Sequence, residues 1–280
     1  MATTTTKPAA PAAAKKSTGF VGIRQAFLVI VVCAIIAFCN FFFVLGSPSN
    51  FEGGDPEGHP LNIMGTIFKG GIVVSVIHTL LLTVIALSIE RILALRTAFG
   101  KGSLAKFTAN IKEALRQNDF AKAQQLCDKQ KGSVANVVSA SLKAYNEMQN
   151  TTGIKKAQKV AKIQQAHEEA TQLEMPTLQM NLPILATLTT LGTLTGLLGT
   201  VIGMIKSFQA LAAGGGGDSL ELSTGISEAL INTAFGIGTS WCAVIAYNTF
   251  TNKIDKLTYA LDEVGYSIAQ TYEANHTEEA

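Results

Sequence analysis

Hydroxyl, amide and carboxyl side chains recur inside otherwise apolar sequence at two places. In TTLGTLTGLLGTVIG, beginning at Thr189, residues Thr189, Thr193, Gly196 and Thr200 fall on one side of a helix, and Gly192, Gly196, Gly199 and Gly203 form an adjoining stripe. In GISEALINTAFGIGTS, beginning at Gly225, Glu228 and Asn232 are one turn apart on one face, while Thr233 and Ser240 share another. In an apolar setting such groups form a narrow polar track. Hydroxyls donate and accept hydrogen bonds, and an ionisable residue in or near a span usually faces a partner or a water-filled cavity. The glycines serve packing: Gly192 to Gly196 and Gly199 to Gly203 are G-x-x-x-G spacings, which let helix backbones approach closely in lipid. Threonine is tolerated there because its hydroxyl bonds back to a carbonyl one turn earlier. Tight packing alone also accounts for the first pattern, and Glu228 is near enough to a span end to be interfacial. Two neighbouring polar tracks nevertheless imply a shared aqueous path, and four helices do not readily enclose one, so an oligomer is expected.

The elements that carry these residues are membrane-length. The chain has 280 residues, 48% hydrophobic and 15% charged, against about 25% charged in a usual soluble domain; its mean hydropathy is +0.29. Four runs reach the roughly 20 apolar residues that cross a bilayer: 26–46, 71–95, about 182–205 and about 226–250. The first is too long for a signal peptide and lacks a convincing small-residue cleavage site, so it is expected to remain as an anchor. Lys7, Lys15, Lys16 and Arg24 precede the first span, and Arg91, Arg96, Lys101 and Lys106 follow or end the second. The connection between them, including SPSNFEGGDPEGHP, carries Glu52, Asp55 and Glu57 against Lys69. The positive-inside rule then places both termini and residues 101–174 in the cytoplasm. Lys253 and Lys256 agree; Lys206 runs against the trend and can snorkel to the interface.

The expected fold is all-α: a polytopic membrane protein with four transmembrane helices whose long helices extend into a cytoplasmic helical bundle. Residues 1–23 form a low-complexity, disordered tail, 24–70 an extra membrane helix with an acidic outer loop, and 71–100 the second membrane helix. Residues 101–175 form the polar helical region. There Phe107, Ile111, Leu115 and Phe120 recur at near-helical spacing, and the pattern breaks around QNTTG. Residues 176–252 hold the third and fourth spans. In 253–280, Ile254, Leu257, Leu261, Val264 and Ile268 share the apolar face of a C-terminal helix. No internal repeat stands out.

Several chemistries find no support. The net charge of +2 does not point to nucleic acid as a partner. Cys33, Cys39, Cys127 and Cys242 have no metal-ligand spacing and are read as reduced and structural. His59, His78, His167 and His276 are dispersed, so no metal or catalytic constellation forms, and GGGGDS at 214–219 lacks the Lys-Ser/Thr of a phosphate-binding loop. His78 is expected to be a packed or interhelix-bonded residue rather than a proton relay. No cofactor and no enzymatic activity are expected.

GLLGTVIGMIKSF followed by GISEALINTAFG and AVIAYN resembles the MotA/TolQ/ExbB proton-channel family, most closely its ExbB/TolQ branch, over about residues 70–268. The resemblance implies a homopentamer in the bacterial inner membrane. It would surround the membrane helices of two ExbD-like single-span subunits bearing a membrane Asp, and would draw on the proton-motive force. It further implies that Thr200 and Thr233 are the pore threonines of the G-T-V-x-G and E-A-L-x-x-T segments, and Glu228 the acidic residue of the latter. Thr189, Thr193, Asn232 and Ser240 would complete the proton path, with a TonB-like transducer and membrane lipids as further partners. TolQ-like, gliding-type or flagellar-type stators and a non-conducting membrane scaffold are the competing readings. Two departures stand out: Gly192–Thr193 replaces the usual Ala-Pro before G-L-x-G-T, which removes a kink, and the first span is extra.

Overall fold

The computed structural model describes residues 22–23, 25–56, 58–213 and 219–277. The expected disordered tail up to Val21, Arg24, Glu57 and residues 214–218 of the GGGGDS segment lie outside these. Among the described residues, regular structure is helical apart from one isolated bridge between Phe51 and Pro60. Four helical stretches are long and apolar enough to cross a membrane. The chain divides into two compact units: an apolar one, Gly22–Leu93 with Gln179–Ile254, and a polar one built mainly from Ala94–Leu178 with Asp255–Ala280.

In the apolar unit, α1 (Ala26–Cys39) continues as a π-helix (Asn40–Leu45). Nothing in α1 is charged, and Phe27, Ile35 and Ile36 stand exposed, as a lipid-facing helix requires. The π turn brings Phe41 and Leu45 into a buried cluster with Val74, against Ile67 and Phe68. The segment read from sequence as an acidic loop is folded. Asn50 Nδ2 donates to the Val44 and Leu45 carbonyls at 2.8 and 3.0 Å, satisfying acceptors that a helix end leaves open. Asn62 Nδ2 donates to Asn50 Oδ1, and Asn62 Oδ1 accepts from Gly65 N at 3.0 Å, capping α2 (Ile63–Lys69). Gly71, at φ +72°, turns the chain into α3 (Ile72–Phe99). That turn needs the left-handed freedom of glycine.

Arg91 was expected to be a basic marker flanking the second span; instead it is wholly buried and paired with Glu90. Glu90 Oε1 also accepts from Ile23 N at 3.0 Å, and its Oε2 accepts from Asn181 Nδ2 at 3.2 Å. A buried carboxylate is tolerable only when its lone pairs are met in this way. Asn181 takes φ +63° in the turn before α8 (Leu182–Ala213), a conformation asparagine adopts more readily than most residues. α8 is helical throughout, including Thr193 at the position where the related motif carries proline. It also outruns the expected end at Ile205, because Lys206, Gln209 and the alanines that follow end the apolar run without ending the helix. α9 (Ser219–Asn275) joins the fourth span to the C-terminal amphipathic segment without a break.

The polar unit contains α4 (Leu104–Arg116), α5 (Phe120–Gln130), α6 (Gly132–Gln149) and α7 (Lys156–Gln179), with the last part of α9. Phe120 does not continue the face of Phe107, Ile111 and Leu115. Asn118 turns left-handed at φ +54°, and Asp119 caps a new helix by accepting from Lys122 N at 2.8 Å. The expected apolar face Ile254, Leu257, Leu261, Val264 and Ile268 is buried throughout. Val137, Leu142, Tyr145, Ile163 and Tyr272 are buried in the same unit. Burial pushes the Cys127 thiol up to about 12, with Asp128 adding to the shift, so it stays protonated and inert. All four cysteines are free.

Candidate functional site

The polar residues singled out in the sequence all lie on α8 and α9 within the apolar unit. Two features of the sequence bring these helices together. One is the stripe Gly192, Gly196, Gly199 and Gly203 on α8; the other is a complementary run on α9, Ala229, Asn232, Gly236 and Ser240, at spacings of three and four. A Cβ on Gly192 would come within 2.9 Å of the Gly236 carbonyl, and one on Gly196 within 2.9 Å of the Asn232 carbonyl. A Cβ on Gly199 would sit 2.6 Å from Asn232 Cβ, and one on Gly203 2.9 Å from Ala229 Cβ. Real side chains essentially never approach so closely, so the two backbones meet here only through glycine. Gly236 completes the seam, 2.6 Å from the Gly192 carbonyl by the same measure. It was not singled out from the sequence, although its spacing from Asn232 and Ser240 carries the signal.

The close approach lets hydroxyls bond across the seam. Ser240 Oγ accepts from Thr193 N at 2.7 Å and from Thr193 Oγ1 at 2.9 Å. Thr233 Oγ1 donates to the Gly196 carbonyl at 3.3 Å. Thr189 and Thr200 donate instead within α8, to Ala186 and Leu197 carbonyls, each at 2.6 Å. Thr200 lies at one end of an apolar groove along α8 lined by Val201, Met204, Ile205 and Phe208. Thr233 and Thr200 are both partly exposed. Because each hydroxyl proton is already given to a carbonyl, the remaining capacity of these oxygens is to accept.

Asn232 is set apart from this row. It is 3% exposed, and its Nδ2 donates to the Gly70 carbonyl at 3.0 Å in the turn between α2 and α3. Glu228, one turn before it, is half-buried, and the charges of Lys69 and Lys206 both act on it. His78 donates from Nδ1 to the Val74 carbonyl of its own helix at 3.0 Å, and its ring lies beside Phe235. Among the described residues no group of His, Cys, Asp and Glu side chains is arranged to hold a metal ion.

A sequence model described as the MotA/TolQ/ExbB proton channel family matches residues 130–263, which include α8, the seam and most of α9. Over these residues, just under half of the chain, the sequence is similar to this family. Relatives carry the names of two of its branches. The Tol-Pal system protein TolQ of Pseudomonas aeruginosa is 32% identical over 124 residues, 44% of this chain and 54% of that protein. The biopolymer transport protein ExbB of Helicobacter pylori is 37% identical over 81 residues, 29% of this chain and 56% of that protein. A putative ExbB homolog of Methanothermobacter thermautotrophicus is 25% identical over 200 residues, 70% of this chain and 66% of that protein. The chain thus spans about half the length of the TolQ and ExbB relatives.

Proposed function

We propose that the protein is a proton-conducting stator subunit of an ExbB-type motor in the bacterial inner membrane, with both termini and the polar unit in the cytoplasm. In this reading copies assemble as a homopentamer around ExbD-like single-span subunits that carry a membrane Asp. Proton flow then moves the partner and energises a TonB-like transducer for outer-membrane transport. The observation that supports it best is the α8–α9 seam, where glycine contact supports a row of hydroxyls inside apolar helices.

The hydrogen bonds suggest how the row acts. Thr200 and Thr233 give their protons to carbonyls, so they accept from a protonated carboxyl or from water and favour the neutral state of a passing acid. Lys69 and Lys206 place positive charge near Glu228. A partner acid moving between these regions is neutral beside the threonines and ionised where charge or water supports it. Thr193 and Ser240 extend the polar row along the seam.

A Tol-Pal role is the second reading, favoured by the longer match to TolQ, 124 residues against 81 for ExbB. Purifying the protein with its native single-span partner and reconstituting both in vesicles tests the shared claim. Uncoupler-sensitive proton uptake is expected, and a complex that conducts no protons sinks it in favour of a scaffold. Deleting the gene separates the branches: loss of gradient-dependent siderophore uptake marks the ExbB type, and detergent sensitivity with normal uptake marks the TolQ type.

A further inference from the structure

We infer that Asn232 is a positioning residue that sets the register in which α8 and α9 present Thr200 and Thr233, and that fastens this register to the folded segment before α3. The inference rests on the reading of those two threonines given above.

Three observations meet at this side chain. First, its Nδ2 donates to the Gly70 carbonyl at 3.0 Å. Gly70 ends α2, and Gly71 turns left-handed before α3 begins. Carbonyls at a helix end lack an intrahelical donor, and α9 supplies one here through Asn232. Second, Asn232 lies directly over Gly199, where an added Cβ would fall 2.6 Å from Asn232 Cβ and 2.8 Å from its Cγ. Sliding α8 by one residue would put Leu198 or Thr200 in place of the glycine, and neither fits. Third, Asn232 Oδ1 is buried with no hydrogen-bond partner among the described residues. A leucine has nearly the same shape and would remove that orphan acceptor, so packing alone does not account for an amide.

The consequence follows from chain order. Thr200 is the residue after Gly199, and Thr233 is the residue after Asn232. Because Gly192 meets Gly236 and Gly203 meets Ala229, the two helices run antiparallel, and holding Gly199 on Asn232 fixes the depth of each threonine, the two about 3 Å apart along the seam. The bond to Gly70 ties that depth to α2, whose Phe68 stacks on Phe41 at 4.6 Å and meets Phe51 edge-on at 5.5 Å. The extra first helix and its folded outer segment thereby act as a brace for the threonine row.

Thr193 and Ser240 touch across the seam and report its register. In full-length protein carrying Thr193→Cys and Ser240→Cys, copper–phenanthroline oxidation in membranes is expected to form the 193–240 disulfide efficiently. Adding Asn232→Leu is expected to lower the yield, per protein present, at least threefold. Asn232→Ser, too short to reach Gly70, is run in parallel and is expected to act in the same direction. In the native background both variants are expected to lower uncoupler-sensitive proton uptake at least fivefold per assembled complex. An undiminished cross-linking yield, or undiminished uptake, overturns the assignment. Thr200→Val and Thr233→Val serve as controls. If they conduct fully, the channel reading itself fails; if they are impaired while Asn232→Leu behaves as the parent, only the positioning role fails.

Discussion

The apolar and polar units are held together by opposite means. In the apolar unit α8 and α9 close on glycine, with Gly192, Gly196 and Gly236 in backbone contact and large residues such as Leu194, Leu197 and Trp241 exposed. In the polar unit the large residues are inside: Tyr145, Leu142, Leu257, Leu261 and Tyr272 are almost wholly buried. The difference follows from the solvent. Lipid is as apolar as leucine, so burying leucine gains little and helices associate through close packing and hydrogen bonds. In water, removing apolar area is the main driving force. One chain therefore carries two codes, in which the sensitive residues of one unit are the small ones and those of the other are the large ones.

Truncation of a large residue separates the two codes most widely. Tyr272 contacts Tyr145 edge-on, stacks on His276, and donates from its hydroxyl to the Met148 carbonyl at 3.0 Å. Tyr272→Ala is expected to cost about 4 kcal/mol. Leu194→Ala, on the exposed side of α8, is expected to stay within about 0.5 kcal/mol. Thermal unfolding of the two purified variants in one detergent checks the pair, and equal losses would break the comparison.

Enlargement should reverse the order. Gly196→Leu forces side-chain atoms into the Asn232 carbonyl and Gly236 and is expected to cost about 3 kcal/mol. Gly153→Ala, in the polar unit with open space around its Cβ position, is expected to cost less, and its φ of +78° accounts for any loss. The amount of correctly assembled protein in membranes reads this contrast.

A smaller effect sharpens the chemistry of the polar unit. Ser141 Oγ donates to the Val137 carbonyl, so it accepts from His167 Nδ1 at 2.9 Å and leaves Nε2 unprotonated, buried and without a partner among the described residues. Burial lowers the His167 pKa below 6.5, while Asp262 of α9 and Glu168 of α7 pull it back upward. The folded state therefore holds fewer protons on this group than the unfolded state. Its contribution to stability is present above pH 6.5 and is lost as pH falls through the lowered value. The melting temperature is expected to drop on acidification from that pH, and His167→Gln should flatten the drop; an identical slope in the variant would remove His167 as its source. The smallest effect is expected for Cys242→Ala, an exposed free thiol on α9, with assembly and proton uptake unchanged.

Much of the fold was legible because apolar runs of bilayer length are a strong signal, and the four spans follow from them. Their ends were less so. The third ran past Ile205, since helix-forming residues outlast the apolar run, and the fourth joined the C-terminal helix because nothing between them breaks a helix. The glycine stripe of α8 was readable as a period of three and four. Which face of α9 met it was not, because periodicity names a face and not its neighbour. Glu90 and Arg91 were read as a charged span end, and their burial depends on Ile23 and Asn181, each far away in sequence. The folded segment around Asn50 was hidden by its polar, glycine-rich composition, although its order comes from two asparagines satisfying helix ends.

The claim that the hydroxyls of the seam carry protons meets its most direct test in Thr200→Val combined with Thr233→Val. Valine keeps the shape of threonine and removes the oxygen proposed to accept from a carboxyl or water. The glycines of the seam are unchanged and one hydrogen bond across it, from Thr233 to the Gly196 carbonyl, is lost; the close backbone contact remains, so the complex is expected to assemble in normal amounts. Uncoupler-sensitive proton uptake into vesicles containing the protein and the proposed single-span partner is expected to fall at least tenfold. Wild-type uptake by the fully assembled double variant would contradict the account.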